Sequence, residues 1–315
     1  KFMDEEGIPT AKSKTFKDLL EAKEYLKNQA FPIAIKASGL ALGKGVIIAN
    51  NNAEAERALS QMMDDKIFGD AGNEVIIEEY LDGNEFSVHA FCDGNIAKLF
   101  PSSKDHKRIF EKDMGPNTGG MGTIEPVPWV TDNLLTEIEE TIVNPCIKGL
   151  KKRGVPFVGV LYPGIMVTSD GPKVIEFNAR FGDPETQSYM RLLETDLLDI
   201  LQACIDGSLS NIDIKWSKKA TSCIVVASGG YPGEYKKGVK IKNLPTENLD
   251  TVIFHAGTKK SDGKVLSNGG RVLGITALGD TLDSAITNAY SATEKITWSQ
   301  KFYRTDIGKK GLSYL

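Results

Sequence analysis

At 315 residues, with 41% hydrophobic and 25% charged residues, the chain has a globular make-up and room for two or three domains of about 100–200 residues each. A formal net charge of −4, with basic residues spread rather than blocked, argues against a nucleic-acid surface. No apolar run approaches the ~18 residues of a membrane span. Cys92, Cys146, Cys204 and Cys223 sit far apart inside apolar runs, without CxxC or metal-ligand spacing. That pattern predicts buried free thiols and a reducing, cytoplasmic compartment.

The chain opens at Lys1 inside a helix-like segment stopped by Gly7, which leads us to expect a missing N-terminal part. Thr15 is the expected cap of a helix carrying Phe16, Leu19, Leu20 and Leu26. Phe31–Ile35 reads as a strand that delivers Lys36, followed by the glycine-rich run Gly39–Gly45 (GLALGKG) and a second strand, 45–49. Strand–loop–strand is a hairpin, not the strand–loop–helix of a P-loop, and the spacing fits neither GxxxxGK[ST] nor GxGxxG. Such a loop can still fold its backbone N–H groups over phosphate. Asn52–Met63 is a predicted helix. Runs 74–80, 85–91 and 96–100 read as strands of a meander, with Glu78, Glu79 and Glu85 near the turn Leu81-Asp82-Gly83. Those carboxylates suit either a nucleotide edge or an exposed hairpin end.

Residues 101–128 form a long loop region, and long loops tend to be functional. It holds SSKDHKR and the glycine-rich DMGPNTGGMG, which we expect to stay out of the core; the charge and glycine content suit an anionic substrate. Residues 131–153 read as one helix capped by Thr131 or Asp132, with Pro145 kinking or breaking it. Residues 157–168 read as a strand that bulges or lies at an edge around Pro163-Gly164. A helix over 188–205, stopped by Gly207, comes next. A boundary near Lys219 introduces a final region with strands at 220–228, 252–254 and 272–277 and a helix at 282–296.

The most informative stretch is PKVIEFNARFGDPETQ, Pro172–Gln187. If its strand runs to Arg180, then Glu176, Asn178 and Arg180 share one face by the period of two. A carboxylate, an amide and a guanidinium in a row suit a divalent metal with phosphate oxygens beside it. Equally, they could be a solvated surface strand.

Taken together, Lys36 with GLALGKG, EEYLDGNE and IEFNARFGDPETQ resemble the ATP-grasp superfamily. DHKR, GPNTGGMG, RFGDPETQ and GGYPG resemble, within it, the glycinamide ribonucleotide synthetase (phosphoribosylamine–glycine ligase) family. The resemblance runs over essentially the whole chain, from IPTAK through HAGTK, NGGRVL and TALG to DIG. It implies an α+β ATP-grasp fold, two lobes with antiparallel sheets gripping ATP, followed by a small C-terminal α+β, β-rich domain. In this numbering the main lobe would be 1–14 and 80–219, the lid 15–79 and the C-terminal domain 220–315. It also implies ATP-dependent joining of glycine to 5-phosphoribosylamine through glycyl phosphate, the second step of de novo purine synthesis. Lys36, Gly39, Gly43, Lys44 and Gly45 would meet the ATP phosphates. Glu78, Glu79, Tyr80 and Leu81 would line adenine, and Glu85 would bind ribose. Glu176 and Asn178 would hold Mg²⁺ or Mn²⁺, and Arg180, with Lys36, would neutralise the reacting oxygens. Asp105, His106, Lys107, Arg108, Asn117, Thr118, Gly119, Gly120, Met121, Gly122, Asp183, Pro184 and Glu185 would line the glycine and phosphoribosylamine pocket.

Two departures stand out. Many superfamily members carry another acidic ligand on the strand before the EFN strand, where this chain reads GVLYPGIMV. The family also normally begins with an N-terminal Rossmann-like domain of roughly 100 residues, absent from this numbering; without it, the span is expected to bind ATP but turn over poorly. Neither nucleic acid nor membrane is an expected partner. Rival readings are another ATP-grasp carboxylate–amine ligase or carboxylase, and a non-catalytic nucleotide-binding module.

Overall fold

Ala55, Ala58, Leu59, Met62 and Met63 recur at helical spacing, and in the computed structural model of the protein they are the buried face of the helix Asn52–Met63. The structure describes residues 1–39, 45–245 and 250–314. The chain divides into two compact units, Pro9–Asn84 with Met166–Ile175, and Lys1–Ile8 with Glu85–Ile165 and Glu176–Leu315.

The smaller unit is built on an antiparallel sheet in the order Ser13–Phe16, Val75–Glu79, Ile33–Ala37, Val46–Ala49. Ile33, Ile35, Val75 and Ile77 alternate inward and meet Leu26, Leu59 and Met62 from two helices. The expected hairpin is present, with Ile35 opposite Ile47; Leu40, Ala41, Leu42, Gly43 and Lys44 lie outside the described residues. Thr15 is not a helix cap. It stands in a strand opposite Ile76, and Asp18 caps Leu19–Leu26 by accepting the Glu21 N–H at 2.9 Å. Burial of Phe16 fixes this strand, and Asp is as good an N-cap as Thr.

In the larger unit one sheet runs Thr251–His255, Arg271–Gly279, Ala220–Ser228, Gly122–Glu125, Lys104–Asp105, with Lys301–Phe302 also pairing with Ala220–Ser228. It therefore draws strands from both sides of Lys219. Helix Leu282–Lys295 packs Ala285, Ile286 and Ala289 against it. A further sheet, whose strands are not confined to the larger unit, holds Gly171–Asn178, Val158–Thr168, Ala90–Asp93 and Ala97–Leu99, with Asn84–Ser87 beside Val158–Thr168.

Several expectations change. There is no meander through 74–100, because Val75–Glu79 belongs to the smaller unit's sheet, and residues 85–91 break at the buried Val88 and His89 into two strands. Met121 and Gly122, expected outside the core, are buried at the head of a sheet strand. Residues 132–152 stay helical across Pro145, because a π-turn at Glu139–Val143 precedes it. The wider turn accommodates a residue that lacks an N–H and crowds the preceding carbonyls. Pro163 sits within the continuous strand Val158–Thr168, which has sheet neighbours on both sides, so it marks no edge. The helix expected over 188–205 is two, Glu185–Leu192 and Leu197–Asp206; Asp196 caps the second, and Gly207 ends it at φ 67°. All four cysteines are buried and free. Among the described residues, no helix is long and apolar enough to cross a membrane.

Candidate active site

In the smaller unit, Ala34 stands opposite Glu78, so Lys36, two residues along the same face, reaches Glu78 diagonally. Its Nζ lies 2.5 Å from Glu78 Oε2 and 3.4 Å from the Ile175 carbonyl. Glu79 pairs with Lys173 at 3.3 Å. Tyr80 is exposed and Leu81 half-buried just after this strand; Gly39 is exposed, and the Gly45 carbonyl accepts the Ala37 N–H. Gly43 and Lys44 lie outside the described residues.

The strand Gly171–Asn178, whose last three residues belong to the larger unit, stops two residues short of Arg180. The three polar side chains nevertheless form one row. Asn178 Nδ2 donates to Glu176 Oε1 at 3.3 Å, and Arg180 NH2 lies 3.5 Å from Asn178 Oδ1. The Arg180 guanidinium also stands over the Tyr162 ring at 5.9 Å. No group of three or more His, Cys, Asp and Glu gathers around one point among the described residues. The chain thus offers one carboxylate and one amide oxygen, a partial shell that suits Mg²⁺, which keeps waters and takes phosphate oxygens.

Pairing of Thr123 with Asp105 and Ile124 with Lys104 fixes the segment 104–108 against a core strand. Thr118 closes the glycine loop onto it: its N–H and its hydroxyl both donate to the Lys107 carbonyl, and its Oγ1 accepts the Gly120 N–H at 3.0 Å. Lys107 donates to Glu85 at 2.5 Å. Burial alone would raise the Glu85 pKa, but Lys107 and Lys104 outweigh it and hold the carboxyl at about 2. Arg108 is exposed and donates to the Gly115 carbonyl at 2.7 Å; Asn117 is exposed beside it. His106 is buried with both ring nitrogens engaged. Nδ1 donates to the Gly122 carbonyl at 3.0 Å, and Nε2 accepts the Gly308 N–H at 3.2 Å. Burial, with Lys104 and Arg304 nearby, lowers its pKa to about 4, so it is neutral as these bonds require.

Glu185 is buried and accepts the Tyr162 hydroxyl at 2.6 Å, with the Ser87 hydroxyl 3.4 Å away. Tyr162 stacks on His89 at 4.0 Å, and His89 Nδ1 lies 3.0 Å from the Tyr189 hydroxyl. Asp183 and Pro184 are tied to the glycine loop by a residue the sequence did not single out. Arg271 NH1 donates to the Gly119 and Asp183 carbonyls, both at 2.7 Å, and NH2 lies 3.1 Å from Asp183 Oδ2. The Tyr231 hydroxyl accepts the Gly119 N–H at 3.0 Å. Tyr231 and Arg271 lie in GGYPG and NGGRVL, runs whose glycines are visible in sequence but whose partners more than 80 residues away are not.

Asp105 is buried beside Gly120, and its Oδ1 has no hydrogen-bond partner. Burial and then the Glu185 charge push its carboxyl up to about 8, against Lys107. The fold therefore holds a proton that the unfolded chain, at pKa ~3.9, releases. This contribution to stability is fully present below about pH 4 and is lost as pH rises toward 8. Asp105→Asn removes the loss. Its melting temperature should exceed the parent's at pH 8, by about 1–2 kcal/mol of stability, and the two should converge near pH 4. Thermal melts across that range check it; parallel curves would refute it.

Two family models match the chain: the phosphoribosylglycinamide synthetase ATP-grasp (A) domain over residues 1–186, and the phosphoribosylglycinamide synthetase C domain over residues 221–310. The chain is 48% identical over 300 residues to the phosphoribosylamine–glycine ligase of Caldanaerobacter subterraneus subsp. tengcongensis, covering 95% of this chain and 72% of that protein. It is 45% identical over 317 residues to the trifunctional purine biosynthetic protein adenosine-3 of Gallus gallus, covering all of this chain but only 32% of that protein. The crystal structure of phosphoribosylamine–glycine ligase from Thermotoga maritima superposes with a TM-score of 0.90 at 35% identity, over 97% of this chain and 76% of that one. A biotin carboxylase from Campylobacter jejuni, at 15% identity and a TM-score of 0.74 over 95% of this chain and 66% of that one, shares the fold. With an α+β ATP-grasp fold and both family models along its length, the chain belongs to the phosphoribosylglycinamide synthetase family.

Proposed function

We propose that the chain joins glycine to 5-phosphoribosylamine at the expense of ATP, giving glycinamide ribonucleotide, ADP and phosphate. A glycine carboxylate oxygen attacks the γ-phosphorus and ADP leaves. The amine nitrogen then attacks the acyl carbon, phosphate departs, and the amine gives up a proton. No nucleophilic side chain is required, so the protein's work is positioning and charge neutralisation. The observation that carries this reading is the row Glu176–Asn178–Arg180, a metal-suited oxygen pair with a guanidinium beside it.

Lys36, Gly39, Gly43, Lys44 and Gly45 serve the ATP phosphates, residues 15–79 acting as the lid. Glu78, Glu79, Tyr80 and Leu81 line adenine, and Glu85 takes the ribose hydroxyls through the oxygen that Lys107 does not hold. Glu176 and Asn178 hold Mg²⁺, and Mn²⁺ suits the same oxygens. When bound, the ion neutralises phosphate charge. Arg180 adds its own positive charge at the transferring oxygens. Lys107 and Arg108 meet the 5-phosphate and Asp105, Asp183 and Glu185 the ammonium or amine groups, while Asn117–Gly122 and Pro184 close the pocket and His106 shapes it from behind.

Phosphate release from ATP that needs both glycine and freshly generated 5-phosphoribosylamine is the expected result. Release with bicarbonate in place of glycine would point instead to a carboxylase.

A further inference from the structure

Arg304 carries a buried guanidinium that none of the roles above uses. Burying a charge is costly unless it is fully paired, and an apolar side chain of like volume often serves stability as well. Here the pairing is extensive. Nε and NH2 form a fork on Asp306, both at 2.8 Å, while NH1 donates to the Arg108 carbonyl at 2.9 Å and to Asp113 Oδ1 at 3.0 Å. The other oxygen contact of Asp306 runs the same way, since its Oδ2 accepts the Lys112 N–H at 2.8 Å.

The segment held in this manner is strained. Lys112 and Asp113 are consecutive non-glycine residues in the left-handed region, at φ 55° and 54°. Such conformations cost about 1–3 kcal/mol each and persist where surrounding contacts over-determine them. Arg304 and Asp306 supply those contacts to both residues. Further along, the Gly308 N–H reaches His106 Nε2 at 3.2 Å. The clamping segment is itself fixed to helix Leu282–Lys295: the Tyr290 hydroxyl donates to the Arg304 carbonyl and accepts the Ile307 N–H, both at 2.9 Å.

We infer that Arg304 is a positioning residue for the phosphoribosylamine site: from the end of the chain, the segment Arg304–Gly308 sets the backbone course of residues 106–113 and so the aim of Lys107 and Arg108. The inference rests on the proposal that Lys107 and Arg108 bind the substrate phosphate. A Lys at position 304 keeps the charge but cannot reproduce the planar fork that grips Asp306 while also reaching Arg108 and Asp113.

Steady-state kinetics of Arg304→Lys, Asp306→Asn and Arg108→Ala, each with a thermal melt, test it. Arg304→Lys should raise KM for 5-phosphoribosylamine about tenfold, with kcat and the KM for ATP within about twofold, as expected for lost substrate binding. Asp306→Asn, a milder change, should move the same constant in the same direction and decides the matter if Arg304→Lys does not fold. Lower melting temperatures with an unchanged KM for 5-phosphoribosylamine in the folded variants, or equal losses in every constant, would make Arg304 a stability residue only and overturn the inference. Arg108→Ala separates the two levels. If it raises that KM and the clamp variants do not, the inference alone fails; if it leaves the KM unchanged, the phosphate assignment fails and takes the inference with it.

Discussion

Glu176→Ala should lower glycine-dependent phosphate release from ATP by about 10²–10³-fold, the scale seen when one preorganised electrostatic contact to a transition state is removed. The expectation rests on how few carboxylates stand there. The adjoining strand Val158–Thr168 reads VGVLYPGIMVT and supplies no acid, and the described residues gather no acid cluster elsewhere that could substitute. Glu176 is exposed and accepts the Asn178 amide at 3.3 Å. Its loss should therefore change stability by no more than about 0.5 kcal/mol, so activity and melting temperature should separate. Glu176→Gln keeps the shape and loses the charge, and should be nearly as impaired. Raising Mg²⁺ should recover part of the rate in both variants, because weakened binding of an ion yields to mass action. Activity within about threefold of the parent in either variant would remove the centre of the proposed mechanism.

Period-two spacing put Glu176, Asn178 and Arg180 together in sequence, and their hydrogen bonds show one row even though the strand ends at Asn178. Local patterns of this kind were legible: the helix Asn52–Met63, the pairing of Ile33–Ala37 with Val46–Ala49 and the buried thiols all follow from composition and periodicity. What depended on distant partners was not. Residues 74–80 and 85–91 both read as strands of one meander, yet Val75–Glu79 pairs with Ile33–Ala37 and Asn84–Ser87 with Val158–Thr168. No local pattern singles out Arg271 or Arg304, because the groups they hold, Asp183 and Arg108, lie 88 and 196 residues away. Glu125 is the sharpest case. No local pattern sets it apart, yet it is wholly buried with the Ser103 hydroxyl 2.5 Å from Oε1, and burial drives its pKa well above the usual carboxylate range. The family resemblance puts His106 among the residues lining the substrate pocket, and only the fold reveals that backbone engages both ring nitrogens.

The glycines of GPNTGGMG mark a loop in the sequence, and Gly122 shows that at least one answers to the core. A Cβ there would lie 2.5 Å from the Cys223 carbonyl oxygen and about 3 Å from Ile307, at a φ of 153°. The obstructing atom is backbone in the adjoining sheet strand, where Gly122 stands opposite Ile224, so relief requires the strands to part. The Gly122 carbonyl also accepts from the His106 N–H and from His106 Nδ1, both at 3.0 Å, so the shift would pass to the segment 105–108. Gly122→Ala should cost roughly 3–5 kcal/mol, adding overpacking to backbone strain, and lower the melting temperature by about 10 °C. Gly154 provides the control. Its φ of 76° also favours glycine, but no atom lies within 4 Å of its Cβ position. Gly154→Ala should therefore lose only the strain, about 1 kcal/mol, and keep full activity. Equal losses at the two positions would mean that backbone conformation alone, not close approach to Cys223, is what glycine supplies at 122. A larger loss at Gly122, accompanied by a raised KM for 5-phosphoribosylamine in whatever folded enzyme remains, would tie the packing of this sheet directly to the aim of the basic segment.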